Sequence, residues 1–405
     1  MDVILVEPCF PANQREFARA LAHAGARVIG IGERDKSSLD DGLREWLSHY
    51  EQIGNVTDVG QLANAVRFVQ KLPGVNVERL EAVVEAHVMA AAKVREHCGI
   101  PGTSVKTAFL CRDKPAMKDA LRAAGVPCAQ SIGSSDKKEI LEFAERVGFP
   151  LIVKPRDAAG ASGTHRVDSI AELESVLGEH PRDVAVEEFI EGHEAFYDTI
   201  SINGRVVHDF VSHYFPGVLE AMRTRWISPQ FIATNRLDMT STYDEVKAMG
   251  QKVIDALGIG TSATHMEWFI GPKGLKFSEI GCRPPGVRAW DLYAAGNEID
   301  IYREWAEAIV HGRPKQKLSR RFAAGIIALR PECDGHIRGY DGTEEVWRKF
   351  DGFIIDSHLP PPGTPTQPVS AGYMANAWLR MKHYDYDTLR SMLDYVGQTL
   401  KVRAS

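Results

Sequence analysis

The stretch "LIVKPRDAAGASGTHRV", Leu151 to Val167, decides how the middle of the chain is read. Leu151, Ile152 and Val153 read as a short strand, and Pro155 withdraws its nitrogen from further ladder pairing. Four small residues follow, Gly160, Ala161, Ser162 and Gly163, and Thr164 to Val167 are strand-like again. Two readings fit. One is a β-hairpin with a generous loop. The other is a flap whose backbone amides close over a phosphate while Lys154 reaches the same anion from the strand. The loop alone does not choose between them.

Working outward, 405 residues give room for two or three domains, each with its own core. An apolar share of 44% beside 25% charged residues is that of an ordinary globular chain and argues against wholesale disorder. The formal net charge is -6 with no long basic run, which argues against nucleic acid as a partner. Six scattered cysteines, with no CxxC pair and no metal-type spacing, are expected to be free thiols in a reducing cytoplasm. Met1 leads directly into "DVILVEP", so neither a signal peptide nor a membrane span is expected.

"VILVEP" reads as a buried strand, "NQREFARALAHAG" as an amphipathic helix closed by Gly25, and "ARVIGIGERD" as a second strand. That βαβ pattern continues to about residue 100 and predicts a Rossmann-like open α/β domain with parallel strands. "GIGERD" offers Gly30, Gly32 and Asp35 but no third glycine at a helix entry, and it follows the second strand, so dinucleotide binding is rejected there. "KKEILEFAERVGFP" is a helix running into the opening strand, and "VAVEEFI" is a further strand. "EAFYDTISINGRVVHDF" is a hairpin turned by Asn203-Gly204. Residues 211–235, broken by Pro216, Gly217 and Pro229, read as irregular and too polar for the core. "SATHMEWFI" and "GLKFSEIGCRPPG" are two strands around a Gly-Pro-Lys-Gly turn, and the tail carries "FAAGIIALRP" and a closing helix, "YDTLRSMLDYVGQTL".

Glu267 and Glu279 fall on the two strands of that turn, so both carboxylates can face one side. Two facing carboxylates repel unless a cation lies between them, and hard oxygen ligands suit Mg²⁺ carrying nucleotide phosphates. Arg283 adds a planar fork for a phosphate or a developing oxyanion. Two solvated carboxylates and a surface arginine would be the plain alternative. Lys114, Lys154, the small-residue flap and "VEEFIEGHE" are all accounted for together by one bound nucleotide.

In order and spacing, "DKPAMKDALRAAGVP", "LIVKP" with its flap, "VEEFIEGHE" and "HMEWF" followed by "KFSEIGCRPPG" resemble the ATP-grasp superfamily. More narrowly they resemble its carboxylate–amine ligases, the branch that includes L-amino acid ligases and biotin carboxylase-like enzymes. The resemblance covers nearly the whole chain. It implies a Rossmann-like domain at 1–100, an ATP-grasp domain of two α+β subdomains at 101–315, and a C-terminal α+β portion at 316–405. By the same resemblance, Lys114 and Lys154 contact the ATP phosphates, and Gly160, Ala161, Ser162 and Gly163 form the flap. Glu187 accepts from the adenine amino group, Phe189 and Ile190 supply backbone bonds and an apolar wall, and Glu194 takes the ribose hydroxyls. Glu267 and Glu279 hold Mg²⁺, and Arg283 stabilises the acyl phosphate. The family usually has asparagine where this chain has Gly281, which removes one side-chain oxygen from a second metal position.

The implied activity joins a small-molecule carboxylate to an amine through an acyl phosphate, releasing ADP and phosphate. Water must then be kept out, a task for the flap and for residues 211–235, from which Arg223 or Arg225 would reach the substrate carboxylate. A bicarbonate-activating enzyme and a catalytically decayed nucleotide-binding protein are the rival readings. The sequence does not fix the oligomeric state, and a homodimer is compatible with it.

Overall fold

The chain begins with four parallel strands, β1 (Asp2–Val6), β2 (Arg27–Gly32), β3 (Leu47–Gln52) and β4 (Val77–Glu81), in the order β3-β2-β1-β4. This is a computed structural model, and it describes residues 1–156, 163–179, 183–372 and 376–405. Helix Gln14–His23 lays Phe17, Ala18 and Leu21 on one face of the sheet, while helices Val59–Gln70 and Glu85–Cys98 supply Val66, Val69 and Ala91 to a separate cluster with Ile4 and Ile29. The expected Rossmann-like α/β domain is there. Its strand order changes direction between β1 and β4, where open α/β sheets leave a crevice at their carboxyl ends.

The Leu151 stretch resolves as the hairpin of β6 (Leu151–Pro155) and β7 (His165–Val167) in a four-stranded sheet with β5 (Ser131–Ser134) and β8 (Val184–Glu188), ordered β5-β8-β6-β7. Helices Lys137–Val147 and Ile170–Glu179 cover it, burying Ile140, Phe143 and Leu173 against Leu151, Val153 and Val186. Asp113 caps helix Lys114–Ala123 by accepting from the Ala116 amide, with Pro115 in the first turn. The same carboxylate takes both guanidinium arms of Arg156, at 2.9 and 3.0 Å, so the helix start is tied to the end of β6.

An eight-stranded sheet forms the frame. It contains β9 (His193–Ile202), β10 (Arg205–Phe215), β11 (Gln230–Ala233), β12 (Ser262–Gly271), β13 (Gly274–Gly281) and β14 (Ala323–Leu329), and it ends with β16 (Ile354–His358) and β17 (Ala377–His383). Their order is β13-β12-β9-β10-β11-β14-β17-β16, antiparallel throughout, while β15 (Ile337–Asp341) and β18 (Lys401–Ala404) pair separately. Asn203 and Gly204, both left-handed (φ 49° and 79°), make the tight turn between β9 and β10.

One expectation is overturned. Residues 211–235 are not simply irregular: β10 runs on to Phe215, and Gln230–Ala233 is a fully buried strand in the middle of the sheet. Only the link between them, with the short helix Val218–Ala221, lacks strand structure. β11 is held by β14, about ninety residues on, and no local pattern announces that.

Candidate active site

Two buried lysines, Lys114 and Lys118, the half-buried Lys154 and two carboxylates form a chain of charge at the junction of the two sheets. Lys118 Nζ stands 2.5 Å and Lys154 Nζ 2.9 Å from the same oxygen of Glu187, Oε2. Lys114 and Lys154 then lie 3.5 and 4.0 Å from Glu279 Oε2. Burial alone would push the Glu187 carboxyl up, but the two ammoniums outweigh it and hold the group at about 2. Burial likewise works against Lys154, yet Glu187, Glu279 and Glu267 keep it above its ordinary value. Lys118, only 1% exposed, goes the other way, to about 8: burial dominates, and Lys154 repels it across the shared oxygen. Both partners of the Lys118–Glu187 pair therefore shift downward, which favours the ion at Glu187 and disfavours it at Lys118. One carboxylate oxygen gains from two cations, and Lys154 also meets Glu279 at 4.0 Å, whereas Lys118 has Glu187 as its ion-pair partner and Lys154 as a like neighbour.

Lys114, Lys154, Glu187 and Glu279 line a cleft of about 500 Å³ together with Phe189, Ile190, Glu194, Glu267 and the apolar Ile152 and Phe269. Glu187 Oε1 is buried and has no hydrogen-bond partner among the described residues, so it is an acceptor awaiting a donor. That suits the expected adenine amino group. The Phe189 amide is given to the Pro150 carbonyl, so a backbone bond from this residue to a ligand would use its carbonyl. Its ring lines the cleft, under the Arg166 guanidinium at 4.6 Å. Glu194 accepts from the Val218 amide at 2.6 Å, and burial together with Glu267 pushes its carboxyl up to about 8. Of the expected flap, Gly163 is left-handed (φ 66°) beside Pro155, while Gly160, Ala161 and Ser162 lie outside the described residues.

Glu267 and Glu279 are direct partners across β12 and β13, as the turn between them predicted. A bulge follows Glu267 and re-aims the strand locally. Among the described residues, no group of three or more His, Cys, Asp or Glu side chains is arranged to hold a metal. A hard cation here would take these two carboxylates and complete its shell from phosphate oxygens and water. Behind Glu267 stands a relay the sequence reading missed. His265 Nδ1 is 2.7 Å from Asp198, whose other oxygen takes the Tyr293 hydroxyl, and His265 Nε2 is 3.7 Å from Glu267.

Arg283 lies beyond the Glu267–Glu279 carboxylate pair. Its Nε donates to Glu85 at 2.8 Å, a carboxylate supplied by the first domain, and Glu85 also meets Arg112. This accounts for Gly281. A Cβ there would sit 3.1 Å from Glu85 Oε2 and 3.3 Å from Arg283 Nε, so the glycine makes room for the interdomain pair. The arginines expected to meet a substrate carboxylate are engaged elsewhere. Arg223 clasps the Thr164 carbonyl at 2.8 Å, and Arg225 pairs with Asp334 at 2.6 Å. Lys118 is the other residue missed. It lies one helical turn after Lys114, but only Glu187, far along the chain, gives it a reason to be buried.

Two sizeable cavities adjoin Arg283. One, of about 250 Å³, reaches Glu267 and Glu279 and is walled by Phe196, Tyr214 and Met222. The other, of about 780 Å³, lies between the start of helix Gln14–His23, Glu85 and residues 283–291. No helix among the described residues is long and apolar enough to cross a membrane.

The family model for the ATP-grasp domain matches residues 119–295. The chain therefore carries an ATP-grasp domain, embedded in the mixed α/β architecture just described. It is 25% identical over 320 residues to an L-arginine-specific L-amino acid ligase of Bacillus subtilis, covering 76% of this chain and 75% of that protein. An L-amino acid ligase structure from Bacillus licheniformis superposes with a TM-score of 0.77 at 17% identity, over 100% of this chain and 98% of that one. The N5-carboxyaminoimidazole ribonucleotide synthetase structure of Thermotoga maritima gives a TM-score of 0.70 at 15% identity, over 100% and 99%.

Proposed function

We propose that the protein is an ATP-dependent ligase that activates a carboxylate as an acyl phosphate and passes the acyl group to an amine, with ADP and phosphate as the other products. The observation that carries this reading is the convergence of three cavities on one set of charges. The 500 Å³ cleft and the 250 Å³ chamber share Glu267, Glu279 and Val218. The chamber and the 780 Å³ cavity share Arg283 and Pro285 to Val287. This supports separate places for nucleotide, carboxylate and amine, in the order in which the reaction would use them.

In the cleft, Lys114 and Lys154 face the polyphosphate, Glu187 Oε1 receives the adenine amino group, and Ile152, Phe189, Ile190 and Phe269 wall the base. Glu194 is placed for the ribose. Glu267 and Glu279 fit Mg²⁺, which when bound neutralises polyphosphate charge. The carboxylate oxygen attacks the γ-phosphorus, and the bond to the β-phosphate oxygen breaks to leave ADP. The amine then attacks the acyl carbon, phosphate leaves, and the ammonium proton passes to solvent. Arg283 is placed to neutralise the oxyanion between those events, held in register by Glu85. Arg223, by clasping Thr164, joins the β6–β7 hairpin to the segment over the site and helps exclude water.

The test is phosphate release across a matrix of carboxylates and amines, with product mass and nucleotide identified. ADP with an amide product is expected. AMP with pyrophosphate would rule out the acyl phosphate.

A further inference from the structure

From the composition of the 250 Å³ chamber we infer that the carboxylate substrate carries an uncharged, apolar side chain of branched-aliphatic or phenyl size, selected chiefly by Phe196, Tyr214 and Met222; this rests on the ligase reading above. The chamber touches both Glu267 and Glu279, as the nucleotide cleft does, and shares only these two and Val218 with that cleft. A carboxylate attacking the γ-phosphorus must lie there, because the cavity of 780 Å³ reaches Arg283 without reaching either glutamate.

Among the described residues, the chamber's charges are confined to that end: His265, Glu267, Glu279 and Arg283. The remaining walls are Phe196, Tyr214, Val218, Met222, Val287 and Ala289, with Pro285 and two glycines. Phe196 and Tyr214 pack ring against ring at 4.8 Å, and Phe196 also meets the edge of His265 at 5.1 Å. Both aromatics are buried in strands of the rigid sheet, so they form a fixed wall. Met222 closes the short helix Val218–Ala221, and its unbranched thioether adapts to what the aromatic wall leaves open. A guanidinium, ammonium or second carboxylate drawn between these walls would lose its hydration and meet no opposite charge among their described residues. Size is limited in the same way: a dry apolar cavity of about 150 Å³ holds benzene, so about 250 Å³ holds a phenyl or isobutyl group with its carboxylate and little more.

The experiment uses hydroxylamine as the amine, so that any acyl phosphate is trapped as a hydroxamate whatever the natural amine is. With ATP and Mg²⁺, 4-methylpentanoate and 3-phenylpropanoate should exceed acetate, glutarate and 5-guanidinopentanoate in kcat/KM by at least tenfold, at about fourfold per buried methylene. Met222→Asp, at a half-buried position on a short surface helix, should move the ratio of 5-guanidinopentanoate to 4-methylpentanoate at least tenfold toward the cation. Equal or better use of the charged acids by the parent, or a ratio that Met222→Asp leaves unchanged, would overturn the inference while leaving the ligase reading intact. If no acid yields ADP, the ligase reading itself fails. The chamber is then judged by equilibrium binding of 3-phenylpropanoate with ADP and Mg²⁺: saturable binding that Met222→Trp abolishes upholds it, and no binding by the parent overturns it.

Discussion

Replacing Glu187 by glutamine tests the charge chain at its centre. Glutamine is the neutral isostere of the protonated acid, so what the substitution removes is what holds the carboxylate ionised. Lys118 and Lys154 bring that group from an ordinary 4.5 down to about 2 despite complete burial. Each tenfold change in proton affinity is worth about 1.4 kcal/mol, which makes the loss about 3 kcal/mol, at the lower end of about 3–5 kcal/mol for breaking a buried ion pair. It should not run higher, because Lys118, already down at about 8, can shed its proton and end the repulsion with Lys154. At about 2.1 cal/mol/K of unfolding entropy per residue, a chain of this length should lose about 4 °C in Tm at pH 7. The pH dependence has a definite sign. A depressed carboxylate contributes stability that is fully present above the unfolded pKa near 4.5 and is lost as pH falls toward 2. The parent should therefore lose about 3 kcal/mol more than the variant across that window. Calorimetry at pH 7 with urea titrations from pH 5 downward reads both. A variant that melts with the parent at pH 7 and shows the same acid limb would refute the reasoning, because Glu187 would then not be the anion on which the lysines depend.

Lys154→Ala removes a cation that faces the cleft and should weaken ATP binding by roughly 10- to 100-fold, the loss of one charged hydrogen bond; unchanged affinity by titration with a fluorescent nucleotide would remove the phosphate role. Glu279→Gln takes a charge from the carboxylate pair and should lower turnover at saturating Mg²⁺ by roughly 100-fold with the fold retained, and a parental rate would end the metal assignment. Gly281→Asn crowds the Glu85–Arg283 pair at 3.1–3.3 Å, so it should slow turnover several-fold without improving the Mg²⁺ dependence. Tighter apparent Mg²⁺ binding in that variant would show that the missing amide, not the ion pair, governs the position.

The elements legible in the sequence were those whose cause is local. Asn203-Gly204 fixes a hairpin by its own backbone, and a two-residue turn between Gly271 and Gly274 sets Glu267 against Glu279. Asp113 and Pro115 start a helix and thereby place Lys114. What escaped depends on distant partners. β11 is four residues long between Pro229 and a polar loop, and it becomes a strand because β10 and β14 flank it. Lys118 reads as one more solvated helix lysine until Glu187 comes within 2.5 Å. Arg225 reads as a substrate clamp until Asp334 claims it. Gly281 reads as a lost metal ligand until Glu85 arrives from the other domain.

The unbroken eight-stranded sheet also bears on how this protein can be cut and recombined. A chain ended near residue 316 would leave β11, buried along its whole length, as an open edge with unpaired backbone groups, which invites pairing with other chains. The tail also ties down the segment above the acyl chamber: Arg330 donates to the Thr224 carbonyl at 3.0 Å, and Asp334 holds Arg225. Residues more than a hundred positions from Met222 therefore share in fixing where Met222 sits. On the proposed reading, substrate range is open to tuning from the C-terminal end, through side chains outside the chamber, and transplanting the nucleotide-binding half alone would not carry that selectivity along.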